Sequence, residues 1–185
     1  MASYTTFGCR GLAVKKAGES WVAIPGAQRV LYKPTVEEVY HQSGGQILGV
    51  YRHSLHGELT FQLAKIDLPA LAKLLNTSVT RIDTTNKKMW FGTQGELEDS
   101  TAFYLKCYLP AKEDGASAWA ILYWFKAHLR SAYESFPGGA YGETGVMNLV
   151  FDVFPHNVDE AGSAVPGSDY ATGRVDFQAS QPSWP

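Results

Sequence analysis

The sequence predicts a mainly β fold with one flanking α-helix, arranged as two packed antiparallel sheets of the sandwich or barrel kind. Three observations carry this. Short runs of alternating apolar and polar residues recur along the chain, a single segment has helical spacing, and the composition is rich in aromatics (13%) and poor in charge (18%) for 185 residues. Soluble domains average about 25% charged residues. Aromatic and β-branched side chains suit a pleated, half-buried surface.

Taken in order, the first 33 residues contain one expected hairpin, with Trp21 to Ile24 and Arg29 to Tyr32 flanking the turn residues Pro25 and Gly26. His41, Gln42, Ser43, Gly44, Gly45 and Gln46 form a polar stretch that is expected to be a loop tip. Ile47 to Arg52 is predicted as the partner of a second strand, Leu55 to Leu63. There Leu59, Phe61 and Leu63 alternate with Glu58, Thr60 and Gln62.

A helix is predicted at about 67–76. Asp67 can cap the first free backbone N–H groups, and Pro69 falls in the first turn, where a missing N–H costs nothing. Leu68, Leu71, Ala72 and Leu75 form the apolar stripe, and Asn76 is a plausible left-handed stop.

Downstream, Thr101 to Leu109 and Trp119 to Arg130 read as a hairpin around the turn Lys112-Glu113-Asp114-Gly115. The second strand begins almost wholly apolar, as a strand buried on both faces would. Pro137-Gly138-Gly139 breaks the chain, and Val146 to Phe154 alternates again. These elements fit a β domain over 1–154. Residues 155–185, rich in Gly, Ser and Pro with one weak strand at Arg174 to Phe177, read as a C-terminal arm or extension.

The net charge of −2 offers no global attraction to nucleic acid or anionic membrane. Residues 1–92 hold 11 Lys+Arg against 6 Asp+Glu, whereas residues 93–185 hold 5 against 12. Either two complementary faces stack, or strands from the two halves interleave and the charges mix. The two cysteines, Cys9 and Cys107, form no disulfide framework and point to folding in a reducing compartment. The N-terminus lacks a basic and apolar leader, and no apolar run approaches the length of a membrane helix, so no membrane anchor is expected.

No catalytic, metal or cofactor site is expected. His53 and His56 are three apart on an extended segment, so their side chains diverge. Cys107 sits between Leu105 and Leu109 in a strand and reads as an inert core thiol. Glu37 and Glu38 are adjacent on an extended chain and point apart. Neither Gly44-Gly45 nor Tyr141-Gly142-Glu143-Thr144-Gly145 lies between a strand and a helix start, as a phosphate loop would. Phe103, Tyr104 and Tyr108 beside Lys106 outline a weak stacking platform, without the glycines of an RNA-binding motif.

In order, Ile47-Leu48-Gly49-Val50-Tyr51-Arg52, the alternating Gly57-Glu58-Leu59-Thr60-Phe61-Gln62-Leu63-Ala64, and the run Lys65-Ile66-Asp67-Leu68-Pro69-Ala70-Leu71-Ala72-Lys73-Leu74-Leu75 resemble the major tail (tail tube) proteins of long-tailed phages. The resemblance covers about residues 20 to 155, and its motifs are patterns of residue class. It implies a structural virion protein whose sheets complete a barrel across six subunits, with rings stacked into a tube through which genomic DNA passes; long loops and terminal arms would tie one ring to the next, and the candidates for this are the terminal tails and a loop over Thr35 to Gln46, with His41, Gln42, Ser43, Gly44, Gly45 and Gln46 at the inter-ring contact. The implied partners are further copies of the chain, a tail-tip or baseplate initiator, a tape measure protein and a tail terminator. Its implied place is the virion tail, after assembly in the host cytoplasm. The tube subunits of contractile tails and of type VI secretion share this fold class. The alternative is a phage-associated β-sandwich binding module, a decoration or receptor-binding domain using Trp21, Trp119 or Trp184 on carbohydrate. A small β-barrel enzyme or a carrier of hydrophobic ligands ranks third.

Overall fold

A computed structural model describes residues 4–6, 8–43, 46–65, 67–75, 80–91, 102–131, 147–166 and 170–184. The described chain is mainly β with one helix, and every strand pairing is antiparallel. The strands are β1 (Tyr4–Thr6), β2 (Gly11–Lys16), β3 (Val22–Ile24), β4 (Ala27–Ser43), β5 (Gln46–Leu63), β6 (Thr80–Asp83), β7 (Lys88–Phe91), β8 (Phe103–Glu113), β9 (Ala116–Ser131), β10 (Met147–Val153) and β11 (Gly173–Gln178). The helix α1 (Leu68–Leu75) follows β5.

One large sheet runs β3-β2-β8-β9-β10-β5-β4, with β1 added to β8 and β11 added to β9. Its two edge strands, β3 and β4, are separated in sequence by only Pro25 and Gly26. A sheet whose opposite edges meet at a two-residue corner must curl back on itself. Its concave side holds one core of Leu12, Val14, Ile24, Leu59, Phe61, Leu63, Leu105, Cys107, Trp124, Leu149 and Phe151, each nearly or wholly buried. Phe61 sits at its centre, edge-on to Trp124 (5.9 Å between ring centres) and to Phe151 (6.2 Å). The expected mainly β, antiparallel architecture with one helix is therefore present and consistent with a β-sandwich, built from this one curled sheet and a two-stranded β6-β7 sheet, with β6 against α1.

Several local expectations hold. β8 and β9 pair around Asp114 and Gly115, whose φ values of 45° and 89° are those of a type I′ turn, the Asp-Gly hairpin signature. β8 alternates buried and half-buried positions along its length. On β9, Ala120 and Ile121 are neighbours and both are buried, so both faces of that strand are covered. Strands from the two halves of the sequence interleave: β2 pairs with β8 and β5 with β10. Arg130 on β9 accordingly reaches Asp152 on β10 (Nε to Oδ2, 2.9 Å) and Glu58 on β5 (Nη1 to Oε2, 2.7 Å).

The helix starts as expected. The backbone N–H of Ala70 donates to the Asp67 carboxylate at 3.1 Å. Its buried face is Ala70, Leu71 and Leu74, with Leu68 and Ala72 half-buried at its margins. The stripe is thus centred on Leu71 and Leu74, and the helix contacts β6 and β3. Asn76 lies outside the described residues, as does the side chain of Leu75. Replacing the cap, Asp67→Ala, is expected to cost about 1 kcal/mol of stability, read from the urea midpoint at unchanged m-value.

Two pairings differ from expectation. Trp21–Ile24 does not pair with Arg29–Tyr32: β3 pairs with β2, through a turn in which Glu19 N–H donates to the Lys16 carbonyl (3.1 Å). The Gly26 carbonyl is instead taken by the N–H of Ala64, beyond the end of β5 (2.9 Å), so Pro25-Gly26 turns a corner between sheet edges. Ile47–Arg52 is not the partner of Leu55–Leu63 either. Both belong to the single 18-residue β5, and its partner is the 17-residue β4. The expected break at residues 53–54 is absorbed by a bulge: Thr35 opposes His56 and Val36 opposes Ser54, leaving Leu55 as the extra residue.

Candidate assembly surfaces

The β4-β5 pair forms the first candidate surface. β10 pairs with β5 only from Gly57 to Leu63. Beyond Gly57, residues 35–43 and 46–56 pair with each other and, among the described residues, with no other strand. They form a two-stranded ribbon about 30 Å long at about 3.3 Å per residue. The bulge at Leu55 lies where the ribbon leaves the sheet, and a second at Leu48 lies near its tip, where His41 opposes Gly49 and Gln42 opposes Ile47. Bulges sharpen twist and bend a strand, so the ribbon can swing clear of the body. Its register sets Glu38 opposite Arg52 and Glu37 opposite His53.

This corrects the expected loop over Thr35 to Gln46. Thr35, His41, Gln42 and Ser43 are in β4 and Gln46 begins β5, with Ser43 directly opposite Gln46. Gly44 and Gly45 lie outside the described residues. Polar composition suggested a loop, but backbone pairing of β4 with β5 continues through it as far as Ser43 and Gln46. An isolated two-stranded ribbon in water is marginal at best.

The second surface is the outer edge of β4. β4 is the last strand of the path, and along its length its other edge has no strand partner among the described residues. Pro34 within it lacks an N–H, which only an edge strand tolerates readily. Leu31 is 39% exposed and Tyr40 51% exposed on this strand, and Lys33 is exposed beside them. A 17-residue open edge is a template for pairing with another chain.

The third surface is the outer face of β2, β8, β9 and β11, where the C-terminal segment lies. Residues 155–185 were expected as an arm with a weak strand; the strand is β11, and it pairs with Trp119–Trp124 of β9. The segment leading to it is pinned by short-range bonds. Asp159 accepts from the N–H groups of Ala161 (2.9 Å) and Ser163 (2.8 Å), and Arg174 bridges Asp159, Glu160 and Asp176. The tail then brings Trp184 against Tyr108 (4.4 Å between ring centres), which also touches Trp119 (5.6 Å). Lys106 lies over the Trp21 ring (4.6 Å) and the Trp184 ring (4.9 Å). The three tryptophans singled out in the sequence therefore gather around Tyr108 and Lys106, and no sequence spacing foretold it. Trp119 faces outward here, half-buried, although it sits in a core-like run.

Gly173 makes this docking possible. A Cβ there would collide with the backbone carbonyl oxygen of Tyr123 on the paired strand. Backbone in the middle of a sheet cannot give way as a side chain can. Gly173→Ala is therefore expected to lift β11 from β9, destabilising by about 1–3 kcal/mol and opening residues 155–178 to limited proteolysis while β8 and β9 stay protected from hydrogen exchange.

Among the described residues no cluster of three or more His, Cys, Asp or Glu could hold a metal ion. His56 stacks on Phe154 (6.1 Å) and His128 meets the same ring edge-on (5.6 Å), so both imidazoles serve packing. Cys107 is wholly buried, and burial pushes its thiol well above the ordinary value. Cys9, from a segment 98 positions away in sequence, packs beside it within hydrogen-bonding reach, a meeting the sequence gave no sign of. Among the described residues no helix is long and apolar enough to cross a membrane. No known family model matches the chain, and no curated protein matches it.

Proposed function

We propose that the chain is a self-assembling structural protein, the subunit of a phage tail tube, which polymerises as stacked hexameric rings into a conduit for DNA. The observation that carries this reading is the β4-β5 hairpin: a ribbon continuing beyond the part of β5 that pairs with β10, whose β4 edge has no strand partner among the described residues. In a ring, the open edge of β4 pairs with a neighbouring subunit, and sheet closes onto sheet around the lumen. This contact is heterologous and cyclic, so it ends when the ring closes. The ribbon reaches along the tube axis to the next ring, a contact that repeats without limit. Both features are liabilities in a monomer and are relieved together by this assembly. The strand-to-helix unit capped by Asp67, on which the family resemblance rests, supports the same reading.

The initiator, tape measure protein and terminator are partners under this reading, DNA passes without specific binding, and no cofactor takes part. Sedimentation velocity over a range of concentrations tests it. Species that grow in steps of six protomers agree with stacked rings. A single monomer boundary at every concentration, including after long incubation of concentrated protein, overturns it.

A further inference from the structure

Between the tail and the outer face of the sheet lies an open cleft of about 370 Å³, lined by Lys106 and Tyr123 from the sheet and by Gln178, Gln181, Ser183 and Trp184 from the C-terminal segment. Ligand sites commonly fall between about 300 and 1,000 Å³. The lining is unusual for a packing gap. The Lys106 ammonium is caged between two indoles and, among the described residues, makes no ion pair. Burial disfavours its charge; Glu160 attracts it, Lys15 repels it, and the balance holds it below the ordinary lysine value. Glu160 is itself held by Arg174 at 2.7 Å. The attracting carboxylate of Glu160 is bound by Arg174, so the half-buried ammonium keeps N–H donors for an incoming anion. Burial raises the Tyr123 hydroxyl above its ordinary value, so it stays a protonated donor. Gln178 donates to the Ser180 carbonyl (2.8 Å), which fixes the start of the tail wall.

We propose that this cleft binds a small acidic saccharide, a hydroxylated ring carrying one carboxylate. The carboxylate meets Lys106, the ring hydroxyls meet Tyr123, Gln181 and Ser183, and the apolar C–H surface lies on Trp184. The charge pattern selects this class over others. A phosphate would call for a second free cation, but Lys15 is engaged by the Glu160 carbonyl. Nucleic acid would call for a basic stripe, but among the described residues lining the cleft Lys106 is the only basic one. The site is independent of the tube reading, since neither the ribbon nor the β4 edge contributes to it.

Titration calorimetry of the full chain, with tryptophan fluorescence as a second signal, tests the proposal using D-glucuronate, D-glucose and inorganic phosphate. Saturable binding of glucuronate is expected, with glucose at least about tenfold weaker, since one charge-assisted hydrogen bond is lost. Lys106→Met should weaken glucuronate by about tenfold or more and leave glucose unchanged. If Lys106→Met does not fold, Gln181→Ala and Ser183→Ala, both at exposed positions, should each weaken glucuronate by a few fold, roughly one hydrogen bond's worth. No saturable binding of glucuronate, equal binding of glucose, tighter binding of phosphate, or indifference to these substitutions would each overturn the assignment.

Discussion

Excising residues 36–55 and joining Thr35 to His56 through an Asn-Gly turn is expected to give a folded monomer that no longer assembles. Thr35 and His56 are direct partners in the ladder, so a two-residue turn of the I′ type can close the shortened hairpin there. The described core residues contributed by β4 and β5, Ala27, Leu59, Phe61 and Leu63, all lie on the retained side. The pairing of β5 with β10 from Gly57 onward is untouched. Stability should therefore stay within about 1 kcal/mol of the parent, the scale of changes that remove no core contact. Assembly should fall to background in light scattering. Removing Thr35 to Gln46 alone, which a loop over that stretch would have justified, is a poorer experiment, because it strips β4 from β5 and leaves residues 47–56 unpaired. A trimmed protein that assembles as well as its parent would show that the ribbon is not an assembly contact.

Phe61→Ala is expected to be the most damaging single change in the body of the fold. Its ring is fully buried, edge-on to Trp124 and Phe151, at the point where β5, β9 and β10 turn their concave faces together. Truncation leaves a cavity among rings already fixed by their strands, at a cost of about 3–5 kcal/mol. Against a typical total of about 5–15 kcal/mol, this should lower the melting temperature by roughly 10 °C in a chain of this size. Urea unfolding at unchanged m-value is the check. A cost under about 1 kcal/mol would mean that the sheet does not curl around this residue.

The parts legible in the sequence are those where one local rule acts alone. Leu59, Phe61 and Leu63 announced a strand because their alternation faces a real core. Asp67 announced a helix start because capping is a matter of neighbouring residues, and Asp114-Gly115 announced a hairpin because its backbone conformation is nearly residue-specific. Legibility fails where the outcome depends on distant strands. Pro25-Gly26 looked like a hairpin turn, but closure of the sheet used it as a corner. The ribbon was hidden because His41 to Gln46 is polar and shows no apolar alternation, and the bulge at Leu55 split one strand into two apparent ones. β6 and β7 were missed for a related reason. They are short, and the sign available was Asp83, whose carboxylate takes the N–H groups of Thr85 and Asn86 (2.9 Å each) to shape the turn. The gathering of Trp21, Trp119 and Trp184 depends on where the C-terminal segment docks, and that is fixed by backbone pairing of β11, which leaves little mark in composition.

Negative-stain electron microscopy of the purified chain at high concentration tests the central claim most directly. The account predicts hollow rods of uniform diameter, or sixfold rings seen end-on. Compact single particles alone, persisting after prolonged incubation and after addition of a tail-tip initiator, would contradict it.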